Sequence, residues 1–322
     1  MTDLAHRPRL ASLRRLGGSE TADPEFVRTE AAIALEAAKK PKVSPPDRFL
    51  DQTGYATEFL TDFSVPLPTP TGPLANDVLE VPQAAGNRLD YLHYSVVMSK
   101  SRRIAMFVGV NIDGQNSKSI ERKNPDVWFL DGRIPLESQI GEALYEGNLL
   151  DRGHLVRRED PNWGTEAEAK TANDETFHFT NCAPQMGAFN QRTWLGLEDY
   201  ILQNARAWQE RVTVFTGPVF AEGDLVYRDI RIPRAYWKFV AFLSDEMKPS
   251  ATAYIVRQDK ELIALEAAFG AYKTYQRSVR SIERLTGLSF GNLADFDGFS
   301  NEELATRTEI AAELRVPGDI RV

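Results

Sequence analysis

The run DRGH, Asp151 to His154, sets an acid, a base, a glycine and one of only four histidines side by side, just ahead of a second basic pair, Arg157 and Arg158. An imidazole titrates near ~6.5, so His154 is largely neutral at pH 7 and can take a proton from water. The guanidinium of Arg152 can donate a charge-assisted hydrogen bond to a phosphate oxygen. In an extended segment these two residues project to the same side. Gly153 between them has no Cβ and permits close approach of a phosphate. A base and a phosphate binder on one side of a strand suit phosphodiester hydrolysis; taken alone, the run also describes a charged surface turn.

A second feature is a carboxylate on an apolar stripe. In NQRTWLGLEDYILQNARAWQE, Trp194, Leu197, Ile201, Ala205 and Trp208 recur at steps of three and four, the pattern of an amphipathic helix. Glu198 lies on that stripe, where it costs free energy unless it is paired, hydrated or coordinated. A stripe-edge glutamate that snorkels to water is the plainer alternative. Asn190 begins the same helix. The two are ~80° apart around the axis and ~12 Å apart along it, so if they share an ion one of them acts through water. A neutral oxygen and a carboxylate suit a hard cation such as Mg²⁺; an asparagine at that place is also an ordinary N-cap.

The elements that must position these groups are mainly strands. LDYLHYSVVMS and RRIAMFVGVNIDG read as an antiparallel pair, and HFTNCA, RVTVFTGPVF, WKFVAFLS and ATAYIVR as further strands. SVRSIERLTG predicts a helix closed by Gly287, and a last helix follows a capping box at Ser300 and Glu303 and stops before Pro317. Asp23-Pro24-Glu25 opens a helix that ends at Pro41, and KPKVSPPDR reads as a linker with a boundary near Ser44. The expected architecture is α+β on a mainly antiparallel sheet. The expected divisions are an N-terminal tail, helix and linker over 1–44, a main domain over 45–290 and a C-terminal helical extension over 291–322.

Composition narrows the partners. The chain has 322 residues, 42% hydrophobic and 26% charged, enough for a real core. Its net charge of −8 argues against a general nucleic-acid coat. A local cationic cleft is still allowed, because Lys100 to Asp160 holds ten Lys/Arg against ten Asp/Glu. Cys182 is the only cysteine, so there is no intrachain disulfide and a cysteine zinc site is disfavoured. A Cys182–His catalytic pair is the weaker reading beside a small buried residue. No signal-peptide run opens the chain and no apolar stretch reaches membrane length, so the expectation is a cytoplasmic protein without membrane contact, non-classical export aside. His178 reads as a structural strand residue, His93 lies in a strand and His6 in the tail with no role assigned, and Trp163 reads as packing with base stacking as the alternative.

DRGH, then Trp163, then ANDETFHFTNCAPQ, then FNQRTWLGLE, resemble in that order the sugar-non-specific DNA/RNA endonucleases of the endonuclease G type, members of the ββα-metal (His-Me finger) group. The resemblance runs from about Leu89 to Phe290 and includes the spacing of Asn190 and Glu198. It implies a metal-dependent phosphodiesterase leaving 5′-phosphate ends on DNA and RNA. It implies His154 as general base, Asn190 as direct Mg²⁺ ligand (Mn²⁺ able to substitute), Glu198 as the acid holding metal-bound water, Arg152 beside the scissile phosphate and Asn181 as an orienting asparagine. Two departures stand out. Leu202 occupies the place of an arginine four residues beyond the helix glutamate, leaving Arg206 as one candidate substitute, and Arg122 is the candidate for the upstream phosphate-binding arginine. Two rival readings are a nucleic-acid-binding protein that has lost turnover and a toxin-like effector restrained by its terminal segments or by an inhibitor or delivery partner. The resemblance also allows a homodimer.

Overall fold

The structure, a computed structural model, describes residues 41–82, 84–123, 125–187, 201–203, 205–207, 210–244, 246–258 and 273–314. The expected helix from Asp23 to Lys40 lies outside them, as do Asn190, Glu198, Trp194, Leu197 and Trp208. In chain order the strands that build the fold and site are β1 (Arg88–Tyr91), β2 (Tyr94–Met98), β3 (Ala105–Asp113), β4 (Leu150–His154), β5 (Cys182–Met186), β6 (Arg211–Val219), β7 (Ala235–Leu243), β8 (Pro249–Arg257), β9 (Lys273–Arg277) and β10 (Ala311–Leu314). Eight form one sheet in the order β10-β9-β8-β7-β6-β3-β2-β1, every neighbouring pair antiparallel. β4 and β5 form a separate antiparallel pair.

The sheet is covered on both faces, which is why its central strands read as near-continuous apolar runs. Along β7, Tyr236 and Val240 join one core while Trp237, Phe239 and Ala241 join the other. β8 alternates the same way, with Tyr254 and Val256 against Ala253 and Ile255. This is the period-two geometry of a strand with no solvent face. One core holds the β4–β5 pair through Leu150, Leu155, Cys182 and Met186. The other is closed by α2 (Val279–Thr286) with Val279 and Ile282, and by Phe290 and Leu293. α2 follows the sequence closely: the Ser278 side chain caps its first turn and Gly287 ends it in the left-handed region.

Local expectations fail where tertiary contacts take over. LDYLHYSVVMS is two strands, not one, because His93 turns the chain at φ 71°. That turn is held from outside: Leu92 N donates to Glu175 Oε2 at 2.8 Å, and the His93 ring stacks on Trp163. HFTNCA is strand only from Cys182, since a 3-10 turn occupies Phe179–Asn181. The last helix, α3 (Gly298–Thr306), is capped by Asp297, which accepts from Ser300 N. Ser300 and Glu303 are therefore not a capping box; Glu303 accepts from the Ser278 hydroxyl and from Ile310 N. α3 ends at Arg307 with φ 56°, well before Pro317, and the chain then adds β10 to the main sheet. Ser44, where a boundary was expected, is buried in a short parallel pairing of Val43–Ser44 with Leu130–Asp131. No helix among the described residues is long and apolar enough to cross a membrane.

Candidate active site

The DRGH run is β4, and its register on β5 sets Arg152 opposite Pro184 and His154 opposite Cys182. Asn181 fixes the chain just past the imidazole. Its Oδ1 accepts from Val156 N at 2.8 Å, and its Nδ2 donates to Val156 O at 2.9 Å and Thr176 O at 3.1 Å. Asn181 is fully buried and faces backbone rather than the cavity, so it is a positioning residue. Thr176 closes α1 (Glu166–Glu175), which begins with a complete capping box of Thr165 and Glu168. Gly153 serves a different purpose from the one expected. A Cβ there would lie 2.1 Å from Gln185 Oε1 and 2.2 Å from its Cδ, so the missing side chain makes room for a buried glutamine rather than for a phosphate.

Arg152 and His154 line one cavity of about 580 Å³. Arg122, Arg157 and Arg158 line it as well, together with Trp128 and the acids Asp126, Glu142, Asp151 and Glu159. The imidazole of His154 is wedged between Trp128, 4.8 Å between ring centroids, and Phe177, 5.1 Å away edge-on. Its Nε2 is sealed from solvent and has no hydrogen-bond partner among the described residues. Burial holds its pKa down at about 3; Arg122, Arg158 and Arg152 lower it further and Asp126 opposes them. The ring is therefore neutral at pH 7, in the form that accepts a proton.

The guanidiniums are held by carboxylates. Arg122 pairs with Asp126, Arg152 with Glu142, and Glu159 takes both Arg158 and Arg206. Arg206, expected to stand in for the arginine absent at Leu202, does not line the cavity. Its Nε donates to Ser117 Oγ at 2.8 Å and its Nη1 to Glu159 at 3.0 Å, which ties residues 205–207 to the loop after β3. Leu202 is 1% exposed and belongs to the core. Arg157 and Arg158 line the cavity beside Arg152 and Arg122. Trp128 was not foreseen: nothing local in PDVWF marks it, and only the fold brings it beside His154.

The remaining candidates are structural. Cys182 donates to the Tyr145 hydroxyl at 3.2 Å, and burial pushes its thiol up to about 12, so it is no thiolate nucleophile despite facing His154 across the pair. His178 donates from Nδ1 to Glu175 O and accepts at Nε2 from Ser44, fully buried. Trp163 donates its indole N–H to Asn111 O and packs on the His93 ring. Among the described residues no group of three or more His, Cys, Asp or Glu gathers as a cation site.

The model of the DNA/RNA non-specific endonuclease family matches residues 73–296. The uncharacterized protein y4fB of Sinorhizobium fredii is 36% identical over 331 residues, covering 93% of this chain, which spans about half (49%) of that protein's length. Nuclease C1 of Cunninghamella echinulata var. echinulata is 22% identical over 72% of this chain and 93% of its own. Human mitochondrial endonuclease G is 40% identical over 78 residues, 24% of each chain. A solved chain from the crystal structure of an EndoG/EndoGI complex superposes with a TM-score of 0.51 at 18% identity, covering 64% of this chain and 86% of that one, and so shares the fold. A family match across most of the chain, over a sheet and a DRGH strand of the kind the sequence led us to expect, establishes that the chain belongs to the DNA/RNA non-specific endonuclease family.

Proposed function

We propose that this protein hydrolyses phosphodiester bonds of DNA and RNA without reading base sequence, leaving 5′-phosphate ends, with His154 as the general base. The observation that carries this reading is the neutral His154 lining, beside Arg152, a cavity that holds four arginines. Arg152 and Arg122 bind non-bridging phosphate oxygens, and His154 takes the proton of the attacking water. Phosphate contacts carry no sequence information directly, so the cut is non-specific. Trp128 and Phe177 fix the ring plane and keep bulk water off it.

The family's chemistry calls for a divalent cation, Mg²⁺ by our reading, held by Asn190 directly and by Glu198 through water. The donor chemistry fits: an amide oxygen and a carboxylate suit a hard ion. Of the cavity acids, Asp126, Glu142 and Glu159 are paired with arginines. When bound, such an ion neutralises charge on the phosphoryl and leaving oxygens. The deciding experiment incubates supercoiled plasmid and a structured RNA with the full chain in Mg²⁺, Mn²⁺ or EDTA. We expect cleavage of both with the cation and none with EDTA. His154→Ala should lose about 10²–10⁴ in rate, and Asn190→Ala should fall with it. A His154→Ala protein that cuts at the wild-type rate ends the proposal. A second reading, binding without turnover, is favoured by the core position of Leu202 and by the paired state of Arg122 and Arg152. Tight binding without cleavage in the same tubes is its signature.

A further inference from the structure

The ion pairs of the cavity are not alike. Arg122, itself 60% exposed, reaches Asp126 through two nitrogens, Nε to Oδ1 at 3.0 Å and Nη2 to Oδ2, and the Asp126 carboxylate is 18% exposed. Glu159 is 19% exposed and bridges Arg158 and Arg206 at 2.6 and 3.0 Å. Glu142 stands apart. It opens a short 3-10 turn, Glu142–Leu144, its side chain is 47% exposed, and it meets Arg152 through a single guanidinium nitrogen. An exposed ion pair made through one nitrogen contributes little, whereas a bidentate one is held more firmly. Arg152 is also the cavity arginine nearest His154 in sequence, on the same strand, with its guanidinium carbon 5.9 Å from the centre of the Trp128 ring that packs on the imidazole.

A carboxylate and a phosphodiester offer a guanidinium the same thing: anionic oxygens that accept charge-assisted hydrogen bonds. They compete for one set of donors. We infer that Glu142 is an affinity-setting residue, an internal competitor whose carboxylate occupies the Arg152 guanidinium until a backbone phosphate of the nucleic acid displaces it. The inference rests on the nuclease reading of this cavity. Substrate binding at Arg152 then exchanges a protein carboxylate for a phosphate, which holds affinity down. The re-forming Arg152–Glu142 pair helps expel a phosphate-bearing product. Asp126 and Glu159, more enclosed and doubly engaged, stay in place and keep Arg122 and Arg158 oriented.

The test uses the full chain carrying His154→Ala to suppress turnover, with Mg²⁺ present and a fluorescein-labelled single-stranded DNA read by anisotropy. Adding Glu142→Gln should tighten Kd by about two- to fivefold. On an Arg152→Ala background the same change should have no effect. Glu302→Gln, an exposed acid on α3, removes the same charge and should not reproduce the gain. Glu142→Gln that binds equally or more weakly overturns the inference, because it makes Glu142 idle or a support for Arg152. Tightening that persists without Arg152, or that Glu302→Gln matches, overturns it too, as a general effect of net charge. DNA bound by none of these proteins fails the nuclease reading itself. Circular dichroism melts confirm that each variant is folded.

Discussion

At the residue scale, the chemistry depends on an imidazole that rests neutral and becomes charged only as it takes a proton from water. With its pKa held at about 3 by burial and neighbouring arginines, free His154 stays neutral far below the usual histidine range. We expect no acid limb near ~6.5 in kcat/KM, which reports the free enzyme. A His154 carbon shift followed by NMR should show the ring unprotonated at pH 5; protonation with a midpoint near ~6.5 would contradict the enclosed geometry. Gly153 gives a second residue-scale expectation. Gly153→Ala drives a methyl into the buried Gln185 side chain, against its Cγ, Cδ and Oε1. A loss of about 1–3 kcal/mol in urea unfolding should result, with weaker cleavage because β4 carries both Arg152 and His154.

At the element scale, the site depends on how β4 and the helical residues 201–203 and 205–207 are tied to the main sheet. Asn181 is the tie for β4. Asn181→Ala leaves the Val156 N–H and two carbonyls without their partner inside the core, a cost of about 1–3 kcal/mol. Activity should fall more than stability does, since the released backbone adjoins His154; parallel melts and rate measurements check this. Gly114 is the tie for the helical residues 201–203 and 205–207. A Cβ there would lie 1.9 Å from Ala205 O, a backbone atom that no rotamer change can move. Gly114→Ala should therefore push this segment off the end of β3. We expect a Tm drop and, because the same stretch follows Asn190 and Glu198 in sequence, a weaker dependence of rate on added Mg²⁺. A variant with wild-type Mg²⁺ titration would separate this segment from the cation.

At the scale of the whole molecule, the buried histidines make the fold sensitive to acid. Burial lowers His93, His154 (to about 3) and His178 (to about 4) from 6.5. The unfolded chain takes up these protons near ~6.5 while the folded chain resists them, so stability is full above that pH and declines as pH falls toward the folded values. Glu175 acts in the opposite sense. Burial raises it to about 7, so the folded state holds a proton between there and the unfolded value of 4.5, and acid favours it. Asp297, also raised by burial, adds to that side. Three histidines against two carboxyls leave a net loss, and the urea midpoint should be lower at pH 5 than at pH 7.5. An unchanged or higher midpoint at pH 5 would show that the carboxyls dominate.

The sequence by itself determined most strands of the main sheet, the helix from Ser278 to Gly287, and the DRGH run as an extended segment with a base and a cation on one side. These are local matters: period, caps and residue type act over a few positions. The tertiary structure alone decided the turn at His93, which Glu175 and Trp163 impose, and the purpose of Gly153, which faces a glutamine on another strand. It also decided which arginines gather around His154. Arg206 turned to Ser117 and Glu159, while Arg157, Arg158 and Trp128 came to the cavity. Charge pairing and ring packing act through space between segments far apart in the chain, and no spacing in the sequence encodes which carboxylate a guanidinium will meet.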